Sequence, residues 1–315
     1  FASLRAPDEE EELMPTRRTI LMAPLAQAAA SAAGRDRGRA GKMTLALHQN
    51  TSLVAGFKGS LEGWAKAGIK NVELTSQPLD EFLKTESLAS AKRVIGDLGL
   101  TPVCGAAAIP DFWNPNPGRA AAMEVWKRRC EQYATLGIPK IYNPAIVTLK
   151  ITADDYKGGV DCIREAGEAA KQHGLTAMIE FMRNSAYIST LTTLLKLTRA
   201  AGHPNVKPLL DCYHFYSGMS KLEDLDLLQP GELGHVHFQD VPDMPRELLD
   251  STTRLIPGDG VSPLNHILKK LAEKKYSGPL SVELFLPEYQ KGDPFQVATE
   301  IQRKATAVMR RARVA

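Results

Sequence analysis

The sequence predicts an α/β fold of the (β/α)₈ TIM barrel type, a single domain behind a non-barrel N-terminal leader. Three observations carry that prediction. From Met43 onward, short apolar runs alternate with longer helical stretches, the pattern of a parallel sheet. There are eight such units, which favours a closed barrel over a doubly wound sheet of five or six. The last four runs each end in a metal-type ligand: AMIE at Glu180, KPLLD at Asp211, GHVH at His237 and LSVE at Glu283.

Taken in order, MTLALH (43–48) is the first strand, followed by a helix around 59–67. KNVELT (70–75) is the second, and a helix over 79–98 follows it and stops at Gly99. TPVCGAA (101–107) is the third, with a helix running through Met123 and Trp126 to Leu136 before Gly137. PKIYNP (139–144) is the fourth, followed by a helix from Asp154 to His173 with Gly174 as its cap. The four ligand-bearing runs supply strands five to eight, and helices are expected over 187–201, 222–228, 263–276 and 293–312. Gly at helix ends and Pro or Thr at strand starts punctuate the pattern.

Residues 1–42 read as different material, and the barrel domain as 43–312. An acidic run from Asp8 to Glu12 precedes Met14-Pro15-Thr16-Arg17-Arg18, an Ala-rich apolar stretch and a linker over 35–42. An arginine pair, a weakly hydrophobic segment and small residues fit a twin-arginine export signal from Met14. A disordered leader with a chance Arg pair fits equally, so the reading leaves export and a cytoplasmic location even.

Composition narrows the class further. Hydrophobic residues make up 43% and charged residues 24%, with a net charge of +3 spread along helices, so neither nucleic acid nor a membrane surface is an expected partner. No run approaches the length of a spanning helix. Cys104, Cys130, Cys162 and Cys212 show no CxxC spacing, which argues against a thiolate zinc site, and Cys212 is expected to be a half-buried core thiol. There is no GxGxxG after the first strand and no GxxxxGK[ST], so nucleotide-binding folds lose ground.

Spacings of 31, 26 and 46 residues separate Glu180, Asp211, His237 and Glu283, each about one βα unit plus loops. In a barrel such positions converge at the C-terminal mouth, where active sites of this fold sit. A carboxylate at the end of a buried strand is costly unless paired or bound to a cation. Three carboxylates and an imidazole suit one hard divalent ion, Mn²⁺ first, with Mg²⁺, Co²⁺ or Zn²⁺ as alternatives. Such a site polarises a carbonyl and stabilises an enediolate. Glu180 and Glu283 are then the catalytic acid/base pair, one removing a proton and the other returning it.

The segments MIEF (178–181), LLDCYHF (209–215), HVHFQD (235–240), TRLIPGDGVSPL (253–264) and LSVELFLPEY (280–289) resemble the xylose-isomerase-like sugar isomerases and epimerases, nearest to the inosose isomerase branch. The resemblance covers Met43 to Ala307. It implies metal ligation by Glu180, Asp211, His237 and Glu283, and substrate contacts from His214, in its DxxH motif, and Arg254. Glu73 and His48, at the ends of the second and first strands, are further expected substrate contacts. His235 is expected to pack against a helix. The loop IPDFWNPNPGR is expected to form a lid or substrate wall, and Arg183 to pair with an anionic group or lie on the surface. The partner implied is a small sugar or cyclitol ketone, in a chain that can form a homo-oligomer. The leading activity is keto-sugar or inosose isomerisation. The alternative is a metal-dependent lyase or hydrolase on 3-keto-glycosides using the same site. Multi-zinc nucleases of this barrel type need more strand-end histidines than the seven present, and a sugar-binding protein would not need two acid/base glutamates.

Overall fold

The computed structural model describes residues 42–315, so the expected leader lies outside the described residues except for Lys42. All eight apolar runs are strands: β1 (Thr44–His48), β2 (Asn71–Thr75), β3 (Thr101–Ala106), β4 (Lys140–Pro144), β5 (Thr176–Glu180), β6 (Val206–Asp211), β7 (His235–His237) and β8 (Pro279–Val282). They pair in parallel in sequence order and close, with Leu47 of β1 in register with Val282 of β8. Closure removes both sheet edges, so no strand is left with an unpaired row of backbone groups.

Two apolar layers result. Ala46, Cys104, Met178 and Leu209 pack together inside the barrel. Outside it, Trp64, Ile163, Leu194, Ile267 and Ile301 fill the space between strands and helices. Strands buried on both faces explain why the runs read as nearly continuous apolar stretches. All four cysteines are free and buried, Cys212 completely.

The expected helix ends at Gly99, Gly137 and Gly174 are present, each glycine in the left-handed region at φ 62°, 80° and 74°. Two expectations need correcting. The stretch 79–98 is two helices, Ser76–Phe82 and Leu88–Asp97, because Ser87 caps the second by accepting the Ser90 N–H at 3.1 Å. The stretch 222–228 is a 3₁₀ helix, Leu222–Leu227. A further 3₁₀ segment, Gln49–Ala55, lies between β1 and the helix Gly56–Lys66. The Met43 N–H donates to the Val314 carbonyl at 2.7 Å, tying the start of the barrel to the end of its last helix, Pro294–Ala312. Among the described residues no helix is long and apolar enough to cross a membrane.

Candidate active site

Glu180, Asp211 and His237 are the last residues of β5, β6 and β7, and Glu283 is the first after β8. A closed parallel barrel brings consecutive strand ends side by side, and here one ligand atom from each lies within 4.8 Å of the others, all buried. Nδ1 of His237 is 2.8 Å from Glu180 Oε1 and 3.5 Å from both Asp211 Oδ2 and Glu283 Oε2. Such a set of three carboxylates and one imidazole fits a single divalent cation with mainly oxygen ligands.

Arg254 reaches the same cluster from the loop after β7. Nη1 is 3.0 Å from Asp211 Oδ2 and also contacts Glu283 Oε2, while Nη2 donates to His214 Nε2 at 3.0 Å. The loop is clamped on both sides of Arg254. Ahead of it, the Tyr213 hydroxyl lies 2.6 Å from both the Asp250 carbonyl and Thr253 Oγ1. Behind it, Asp240 and Leu255 form a two-hydrogen-bond bridge, and the Asp240 carboxylate accepts the Gly258 and Ser262 N–H groups at 2.9 Å. Asp211 is held as well: it accepts the His214 N–H and the Gln239 side-chain amide, both at 2.6 Å.

Burial and crowding push the three carboxylates apart electrostatically. Burial, reinforced by Glu283 and Asp211, raises Glu180 to about 8 against the pull of His237. Glu283 is equally buried, yet Arg254, His48 and His237 hold it below its ordinary range. Asp211 is held lower still: burial pushes it up, but Arg254, His214 and His237 together outweigh that. Burial, with Arg254 beside it, lowers His214 to about 4, so it is neutral and able to accept from the guanidinium. His237 is raised well above 6.5, because Glu73, Glu180 and Glu283 overcome burial.

Above the cluster lies a cavity of about 360 Å³ whose lining includes Asn50, Tyr142, Glu180, His214, Arg254 and Glu283. Of the four expected substrate contacts, His214 and Arg254 line this cavity. His48 and Glu73 are fully buried beneath it: His48 Nε2 is 3.0 Å from the Tyr142 hydroxyl, and Glu73 is enclosed by histidines. The expectation for His235 is overturned. Residues two apart share a strand face, so His235 points into the barrel beside His237, their rings 5.7 Å apart.

Two loop expectations are also revised. Phe112 and Trp113 of IPDFWNPNPGR are buried against Trp126, and Trp113 Nε1 donates to the Asn143 carbonyl at 3.0 Å, so the segment is anchored rather than a lid. Among the described residues Arg183 forms no ion pair; it donates to the Leu249 carbonyl and, at 2.8 Å, to that of Arg246. Tyr142, Asn50 and Gln239 went unread. Gln239 had a usable signal, since it continues the period of two from His235 and His237 on β7.

Comparison with known proteins identifies the family of the barrel. The model of the xylose isomerase-like TIM barrel family matches residues 61–310. An inosose isomerase of Halalkalibacterium halodurans is 31% identical over 255 residues, covering 78% of this chain and 89% of the relative. A D-psicose 3-epimerase of Agrobacterium fabrum is 25% identical over 244 residues, 74% of this chain and 80% of the relative. A crystal structure of IOLI protein with a binding zinc atom superposes with a TM-score of 0.79 at 26% identity, over 85% of this chain and 98% of that one.

Proposed function

This chain belongs to the xylose isomerase-like TIM barrel family, and we propose that it is a divalent-metal-dependent isomerase or epimerase of a keto-sugar or inosose. The observation that carries the reading is the pair Glu180 and Glu283. Both border the cavity, both are buried, and their environments push their proton affinities in opposite directions. Two titratable groups driven apart in this way can be assigned as acid and base. The names of the similar isomerase and epimerase support the substrate class.

Glu283, ionised at neutral pH, takes the proton from the carbon next to the substrate carbonyl. Glu180, across the site, returns one to the enediolate; the proton it holds below about pH 8 in the metal-free site is the one a bound cation displaces. Bound at Glu180, Asp211, His237 and Glu283, a cation such as Mn²⁺ would polarise the carbonyl and spread the negative charge that develops. Arg254 supplies a fixed positive charge at the cavity wall, and neutral His214 orients it. The deep burial of the acid/base groups keeps water from quenching the carbanion-like intermediate.

The test is proton NMR of metal-loaded protein with an inosose and a panel of keto-hexoses in D₂O. Deuterium should enter a carbon next to the carbonyl with no fragmentation. Silence there, together with aglycone release from 3-keto-glycosides, would transfer the assignment to the lyase reading.

Metal affinity should depend on pH in a defined direction. Below about pH 8 the metal-free site holds a proton on Glu180, and the surrounding carboxylates make His237 favour its protonated form as well. Both protons must leave before the groups can ligate, so acid competes with the metal. Chelator competition at pH 6, 7 and 8 should show affinity rising at least about tenfold per unit. A flat profile over that range would contradict the ligand assignment.

A further inference from the structure

We propose that Glu73 is a positioning residue for the metal centre: it holds His237 by Nε2, so that Nδ1 is the nitrogen presented to a cation. The proposal rests on the metal reading above and adds to it a residue expected to touch substrate. Glu73 closes off the barrel interior from β2, fully buried and away from the cavity lining. Its two oxygens are divided between two imidazoles. Oε1 lies 3.1 Å from His237 Nε2, and Oε2 lies 2.9 Å from His235 Nε2.

A carboxylate flanked in this way can only accept, so both Nε2 atoms donate. With Nε2 committed, the free nitrogen of His237 is Nδ1, which faces Glu180, Asp211 and Glu283 at 2.8, 3.5 and 3.5 Å. Turning the ring over would replace the Nε2–H with a C–H, and the other tautomer would set a bare nitrogen lone pair against the Glu73 carboxylate, so the contact selects both orientation and tautomer. The contact also crosses the barrel: β2 pairs with β1 and β3, whereas β7 pairs with β6 and β8. Local strand pairing therefore does not produce it.

An apolar side chain at position 73 would fill the interior without desolvating a charge. A carboxylate there is costly unless its partners need it. Metal-ligating histidines commonly donate their second N–H to a carboxylate, which fixes the ring and raises its basicity. His235 completes the arrangement by engaging the other oxygen and fixing the plane of the carboxylate.

The test uses the whole chain and Glu73→Gln, which keeps the shape and removes the charge. In Zn²⁺-loaded wild type, long-range ¹H–¹⁵N spectra should show His237 bound through Nδ1, with a far-downfield Nε2 proton. Folded E73Q should bind Mn²⁺ about 10–100-fold more weakly by chelator competition, with that proton shifted upfield. Zinc bound through Nε2, or folded E73Q with wild-type Mn²⁺ affinity, would overturn the proposal. If E73Q does not fold, the wild-type spectrum alone decides, since it reports the ligating nitrogen directly. Wild type that binds neither metal would refute the metal reading and this proposal with it. A wild type that binds metal beside an unaltered E73Q refutes only the role of Glu73.

Discussion

Glu180→Gln and Glu283→Gln are each expected to lower solvent-deuterium exchange into the substrate by about 10²–10⁴-fold, the usual contribution of a positioned acid or base. The two should fail differently as pH changes. E180Q removes the group that titrates near 8 in the metal-free site, so metal affinity should lose the proton competition that this group contributes there. E283Q removes a carboxylate already ionised at neutral pH, so the proton competition near pH 8 should persist. Because both glutamates are also proposed ligands, metal content has to be measured alongside turnover. An amide oxygen still ligates weakly, so the variants should be assayed at saturating metal. Wild-type exchange in metal-saturated E283Q would remove that residue from proton transfer.

Arg254→Ala is expected to cost the metal-free protein about 3–5 kcal/mol of stability, the range seen when one member of a buried ion pair is removed. Arg254 is 2% exposed and lies across Asp211 and Glu283, closer to each than His237 at 3.5 Å. Without it, two buried carboxylates lose their permanent counter-charge and are left with His237 alone. Adding Mn²⁺ should restore much of the loss, because the ion supplies positive charge at the same oxygens. Denaturant unfolding with and without metal reads both effects. Arg254→Lys should not substitute: an ammonium is a point charge and cannot span His214, Asp211 and Glu283 with a planar fork. Unchanged metal-free stability in R254A would show that the cluster is balanced in another way.

The legible part of this molecule was what one strand or one helix carries by itself. Each barrel strand is a short apolar run, and Glu180, Asp211 and His237 could be located because each terminates such a run. The same local logic placed the helix stops at Gly99, Gly137 and Gly174, where a positive φ is needed. What escaped depends on closure. That Glu73 on β2 faces His235 and His237 on β7 follows from the diameter of the ring and the tilt of its strands, neither of which is written in a run of six residues. Tyr142 is similar, its hydroxyl meeting His48 from three strands away. The loop with Phe112 and Trp113 misled because aromatics flanked by Pro and Asn resemble an exposed lid, and only Trp126 on a separate helix reveals that they are core. His235 was legible and misplaced, since a period of two puts it on the same side as His237.

The seam between β8 and β1 is an ordinary parallel pairing, and the Met43–Val314 hydrogen bond sits beside it. Nothing in the ring distinguishes that junction from the other seven, so the order in which the chain visits the strands is incidental to the assembled barrel. A circular permutant joining Val314 to Met43 through a short linker, and opened at the exposed turn around Gly174, would deliver β5 to β8 before β1 to β4. The half carrying the four clustered side chains would then leave the ribosome first, and the half carrying His48 and Glu73 would close over it.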